Sequence, residues 1–330
     1  ADAVYATEEL EETAKLLLPL VDAALELARL QPAIFQPHFR NITDILLGWY
    51  IEPQQTSAVR AKCEDAMKGL HSFWLGALHF SLHEMLIEFL RDAEVYTKEA
   101  RAFPEPPNGR PPGDEDEEAP ADLLYKASLL LRASRLSFAS LAIPHNSPQF
   151  ADVAKFADQA LEFVDGSLRQ LELGKCWDEG SDIVAQAFPF IVNLHPFLGP
   201  AKPEVQEKWL SLLLHCLAQA PRLRTTAVRD AVRAARDLVE GTPAEAVSQL
   251  AERLIGPESP LLALRLHSSA NVAEAVLGLY RSLLAPRSVP SLTAAFTIVT
   301  AEMRSSLGVL KQLSGASEDG DESTPSSNSK

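Results

Sequence analysis

Apolar residues recur at the 3.6-residue period of an α-helix in one stretch after another of this chain, and proline punctuates the stretches. In the first stretch Leu10, Ala14, Leu17, Leu18, Val21, Ala24, Leu25 and Ala28 share one face, and Pro32 and Pro37 close it. The side chains fit that pattern, with 50 Leu and 46 Ala against 10 Ile and 18 Val. Straight-chain and methyl side chains favour helix, and β-branched ones favour strand, so a sheet-based fold is excluded.

The spacing predicts helices over 7–30, 39–50, 56–70, 71–101 with a break at Gly76, and 123–143. Further helices are predicted over 147–174, 181–194, 204–220, 222–240, 243–255, 269–285 and 291–314. Ser147-Pro148 has the form of an N-cap followed by proline at the first helical position. Thr242-Pro243-Ala244-Glu245 has the form of a capping box. Val205, Trp209, Leu212 and Cys216 mark a buried face, and Pro189 predicts a kink. At 330 residues an all-helical chain splits into domains or extends as an array. The prolines at 221, 257 and 286 recur near the helix-pair period of HEAT-like repeats. The expected fold is therefore all-α, an α-solenoid of HEAT-like antiparallel helix pairs. Residues 1–102 and 122–313 are its repeats, 103–121 a proline-rich acidic linker, and 314–330 a disordered tail.

The formal charge of −15 is concentrated. Residues 1–30 hold seven acids and two bases, residues 101–121 six and two, and residues 314–330 four and one. The remainder is close to neutral. This balance argues against nucleic-acid binding by bulk charge. The longest uncharged run, 183–201, carries three prolines and does not suit a membrane span. Cys63, Cys176 and Cys216 are far apart and form no CxxC, which predicts a reduced intracellular protein without a zinc site or disulfide framework. The chain opens Ala1-Asp2-Ala3 without Met, as expected of a section of a longer polypeptide.

No glycine-rich phosphate loop, kinase catalytic loop or GxSxG elbow occurs, so no catalytic, cofactor-binding or metal-binding residue is assigned. His79 and His83 share a helix face, but Phe80 stands where a zinc protease needs Glu. His71, His79 and His83 are expected to be ordinary histidines beside a core. Trp49, Trp74, Trp177 and Trp209 are expected core anchors. The run Asp114–Glu118 is expected to be a solvated loop. Arg222, Arg229, Arg233 and Arg236 are expected along one face of a helix. Such a stripe can grip a phosphate, an inositol phosphate or an acidic partner, or it is a solvated face offset by Asp230, Asp237 and Glu240.

Two groups of strings carry a family resemblance. One is Gln36-Pro37-His38-Phe39-Arg40, Asp44-Ile45-Leu46-Leu47-Gly48-Trp49-Tyr50-Ile51, Leu70 with Phe73-Trp74, and Phe89-Leu90 through Asp92 and Glu94 to Tyr96. The other is Leu261-Leu262 with Leu264-Arg265 and His267, then Val289-Pro290, Ala294-Ala295, Glu302-Met303, Leu307 and Leu310. In order and spacing they resemble the N-terminal helical arm of the SMG-type kinases of nonsense-mediated mRNA decay, within the phosphatidylinositol 3-kinase-related kinases. The resemblance implies a very long parent kinase that phosphorylates Ser or Thr before Gln on the up-frameshift helicase. It implies ATP and a divalent metal in a kinase domain outside these residues. It also implies two regulatory protein subunits on the arm, contact with the rest of the parent chain, and a cytoplasmic location with the nucleus as a second compartment. The resemblance implies a non-catalytic scaffold segment, with 44–51 and 289–313 mostly core. The other readings open to the residues are a free-standing helical adaptor unrelated to kinases and an unrecognised helical enzyme, which would need a pocket of convergent polar groups that the sequence does not show.

Overall fold

The computed structural model describes residues 2–51, 56–73, 78–102, 119–139, 150–171, 177–199, 202–256 and 259–285, with scattered positions between 292 and 304. Among the described residues every regular element is helical. The order is α1 (Asp2–Leu30), α2 (Pro32–Phe35), a 3-10 turn (Gln36–His38), α3 (Phe39–Ile51), α4 (Ser57–Phe73), α5 (Leu78–Ala102), α6 (Pro120–Ala139), α7 (Phe150–Gln170) and α8 (Trp177–Leu198). Then follow α9 (Pro203–Ala218), a 3-10 turn (Ala220–Arg222), α10 (Thr225–Glu240), α11 (Ala244–Ile255), α12 (Pro260–Leu264) and α13 (Ala270–Leu284).

The helices stack in two rows. In one row α5 packs on α7, α7 on α9, and α9 on α11 and α12; in the other α6 packs on α8, α8 on α10, and α10 on α13. Rungs between the rows join α5 to α6, α7 to α8, and α9 to α10. At the N-terminal end α1 packs on α4, and α3 packs on α4, α5 and α6. Among the described residues the main helix contacts are between helices near each other in sequence, which is the pattern of an α-solenoid. The all-α array read from the sequence is borne out. α5 and α6 pack directly on each other, and one apolar core runs from Val21 to Leu283.

Aromatic contacts pin the middle of the array. Phe138 of α6 stacks on Phe156 of α7 at 5.4 Å and meets Phe190 and Phe197 of α8 edge-on at 6.0 and 5.4 Å. The expected face of α9 is confirmed, since Val205, Trp209, Leu212 and Cys216 are all buried. α8 continues through Pro189 and Pro196, although proline removes a backbone donor from the helix ladder.

Several expectations are corrected. The capping box at Thr242 does not form. α11 begins at Ala244 without a side-chain cap, and Thr242 Oγ1 instead donates to Leu238 O at 2.7 Å, closing the end of α10. The element α12 was not foreseen; Ser259 caps it by accepting from Leu261 N at 3.3 Å. Arg222 lies in a 3-10 turn rather than on α10, because the helix starts only at Thr225. In 44–51 only Leu46, Leu47 and Tyr50 are fully buried, while Ile45 is exposed. In 289–313 the described Leu292, Phe296, Val299 and Met303 are exposed, so this stretch is not mostly core there. Ser147-Pro148, Gly76, the Asp114–Glu118 run, Cys176 and the tail lie outside the described residues, as do the side chains of Trp74, Trp177, His71, His79 and His83.

Trp209 is fully buried, and truncating it leaves a cavity between α9 and its neighbours. Trp209→Ala is expected to lower stability by about 3–5 kcal/mol in urea unfolding. Arg233→Ala, at an exposed position of α10, is expected to change it by less than about 0.5 kcal/mol.

Candidate docking surface

The four arginines read as a stripe do not lie on one free face. Arg229 Nε donates to Asp230 Oδ1 at 2.7 Å. Arg236 Nη2 donates to Asp237 Oδ1 at 3.1 Å, and its Nε lies 3.6 Å from Glu240 Oε1. Arg236 sits at the seam with α13, where a methyl group on Gly278 would come 3.8 Å from its Cδ. Glu240 on the same seam accepts from the Ser282 hydroxyl at 2.8 Å. Arg222 and Arg233 are exposed and have no ion pair among the described residues. The structure thus separates one seam arginine, one locally paired arginine and two solvent-facing ones.

An open apolar groove lies elsewhere. Leu20, Val21, Ala24 and Leu25 of α1 face Ile42, Ile45, Leu46 and Trp49 of α3 across about 220 Å³. The helical period that buries Val21 and Ala28 against α4 leaves Leu16, Leu20 and Leu27 on the neighbouring face, exposed. Water beside that much apolar surface is unfavourable, and burying it against another protein surface releases that penalty. A second exposed row is Leu292, Phe296, Val299 and Met303, spaced 4, 3 and 4 residues apart. The periodic pattern identified these residues as apolar. It does not distinguish a face covered by a neighbour from one left open.

A polar cluster sits between the groove and the middle of the array. Tyr50 on α3 donates its hydroxyl to Glu64 Oε1 on α4 at 3.0 Å. Arg132 of α6 donates Nη2 to the same oxygen at 3.0 Å and lies 5.6 Å over the Tyr50 ring. Burial, ahead of the opposing Arg132 charge, pushes the Tyr50 phenol up, so it stays protonated and holds its donor role. Sequence reasoning missed this cluster, since its members lie on separate helices.

No protein-family model matches the chain. The serine/threonine-protein kinase SMG1 of Danio rerio is 27% identical over 304 residues, which cover 91% of this chain and 8% of that kinase. The chain thus spans about a twelfth of that relative's length. The relation to the SMG-type kinases expected from the two groups of strings is borne out, and the similarity extends over most of the chain. The chain is thus similar to a stretch of that kinase.

Among the described residues no group of His, Cys, Asp and Glu is placed to hold a metal ion, and no helix is long and apolar enough to cross a membrane. Burial pushes the Cys63 thiol up to about 11 and the Cys216 thiol up to about 12, so neither is a thiolate nucleophile at neutral pH. His195 of α8 is buried beside Gly241, its Nε2 has no hydrogen-bond partner among the described residues, and burial pushes it down to about 4.

That histidine makes folding sensitive to acid. Above its ordinary value of 6.5 it is neutral in both states and has no effect. Between 6.5 and about 4 the unfolded chain takes up the proton and the folded chain does not, so stability falls as pH falls. The loss is expected to reach about 3 kcal/mol. His215, lowered mainly by burial, acts in the same direction; Asp182 and Glu94, raised mainly by burial, oppose it. Urea unfolding at pH 7 and pH 4 is expected to show a smaller loss for His195→Leu than for the unaltered chain. Equal losses would remove His195 as the cause.

Proposed function

We propose that this kinase-related segment is a non-catalytic scaffold section of the helical arm of an SMG-type kinase. In this reading it docks regulatory protein subunits of a complex acting in nonsense-mediated mRNA decay. The observation that carries the docking role is the open apolar groove between α1 and α3. Stacked helix pairs bury a continuous core yet leave long faces free, which suits a support for other proteins. Similarity over 304 residues favours a segment of such a kinase over a free-standing helical adaptor. The parent chain's Ser/Thr-Gln-directed activity on the up-frameshift helicase, with its ATP and divalent metal, belongs to residues outside this segment.

Co-purification tests the reading. The folded chain is expected to retain at least one regulatory subunit of the kinase complex. Leu20→Glu with Ile45→Glu is expected to cut capture about tenfold or more, because each change places a charge in the apolar groove. Circular dichroism verifies that the variant keeps its helices. If the folded chain retains neither subunit while longer stretches of the arm retain both, the docking role is wrong.

A further inference from the structure

Helix α6 is buried on most sides, and it opens along one stripe. Ala121, Tyr125, Arg132, Arg135 and Leu136 are its half-buried positions on a common face. Two of them are arginines one turn apart, at the junction of α3, α4, α6 and α8.

The two are not equally compensated. Arg132 has Glu64, whose Oε1 also accepts from Tyr50, so this one oxygen serves two donors. Among the described residues Arg135 has one hydrogen bond, from Nε to the Gln186 carboxamide oxygen of α8 at 3.1 Å. That acceptor is neutral. The Nη groups of Arg135 meet no acceptor among the described residues, and its guanidinium makes no direct ion pair there, the Glu64 carboxylate acting on it only from a distance. Burial first, and the Arg132 charge second, hold its pKa below the ordinary value. A guanidinium nonetheless stays charged at neutral pH. Two positive charges and one carboxylate leave a net positive charge that no other described residue neutralises, half shielded from water.

A counter-ion relieves that imbalance. A planar fork of N–H donors fits the oxygens of a tetrahedral phosphate in pairs, which a carboxylate matches with fewer oxygens and less charge. We propose that Arg135 and Arg132 form a binding site for a phosphate group, gripped by the Nη groups of Arg135 and by Nη1 of Arg132. Tyr50 and Glu64 position Arg132 for this role, and Gln186 positions Arg135. A bound phosphate sits where three successive layers of the array meet and ties them together. The site is independent of the apolar groove and of the docking reading.

The 330-residue chain itself serves for the test. Inorganic phosphate is titrated by calorimetry and by thermal unfolding against sodium chloride and sodium acetate at matched ionic strength. Phosphate is expected to bind and to raise the unfolding temperature above both salts. Arg135→Gln is expected to weaken phosphate binding about tenfold or more, and Arg229→Gln to leave it unchanged. A phosphoserine peptide that competes and binds more tightly than phosphate identifies a phosphoprotein source; weaker binding identifies free inorganic phosphate, and both support the site. Phosphate acting no differently from chloride or acetate overturns the proposal, as does undiminished binding by Arg135→Gln. Should that variant unfold, phenylglyoxal labelling of the unaltered chain decides the matter. Phosphate is expected to shield Arg132 and Arg135 from modification, and equal labelling with and without phosphate overturns the site.

Discussion

Burial of α6 is the constraint on which the remaining array depends. This helix packs against α3, α4, α5 and α8, and all its neighbours must find a surface that fits. Leu123, Leu124, Ala127, Leu129, Leu130, Leu131, Ala133 and Phe138 are buried around it. Its buried serines raise no desolvation problem, because their hydroxyls donate within the helix: Ser128 to Tyr125 O at 2.8 Å, Ser134 to Leu130 O at 2.9 Å and Ser137 to Ala133 O at 2.8 Å. Phe138 at the end of α6 then sets where α7 and α8 lie. The segments before and after the proline-rich stretch therefore share one core, whatever path the intervening residues take.

Polar pairs add register more than energy. Lys62 reaches Asp22, Lys208 reaches Glu162, Arg253 reaches Glu207 and Arg224 reaches Asp182, each across a helix–helix seam. Largely exposed ion pairs contribute little each, at most about 1 kcal/mol. Their geometry still discriminates between neighbouring registers. At the α8–α10 seam the backbone amide of Arg224 also donates to Ser181 Oγ at 2.9 Å, which fixes the start of α10 against α8. Apolar burial holds the rows together, and these contacts select how far one helix slides along the next.

What was legible in the amino-acid order follows the same division. Local periodicity identified most helices, because burying one face of a helix leaves a 3.6-residue trace at Val205, Trp209, Leu212 and Cys216. Ends were less legible, since one side chain can serve either of two helices. Thr242 has the spacing of an N-cap for α11, yet its hydroxyl is used on α10. Sites made across helices left no trace. Arg132 lies 68 residues from Glu64, and Arg135 lies 51 from Gln186. Within an apolar run these arginines look like ordinary surface positions. The arginines of α10 stood out because they are regularly spaced, but acids next to them in sequence pair with Arg229 and Arg236.

The exposed large apolar side chains show where an array of this kind has surface left to offer. Leu16, Leu20, Leu27, Leu30, Ile34 and Ile45 lie in the first three helices, and Leu266, Leu277, Leu292, Phe296, Val299 and Met303 lie from residue 266 onward. Between them only Val95 is exposed among the described residues. A stacked pair is covered on both sides by its neighbours, so apolar faces in the middle are already used, and uncovered ones collect toward the two ends. Association driven by apolar burial therefore favours the ends, of which α1 with α3 has the groove. Among the described residues the middle offers polar stripes, and there the proposed phosphate site at Arg132 and Arg135 would make charge the means of recognition. The two kinds of surface thus fall on different parts of the array for one reason: each helix pair covers the next.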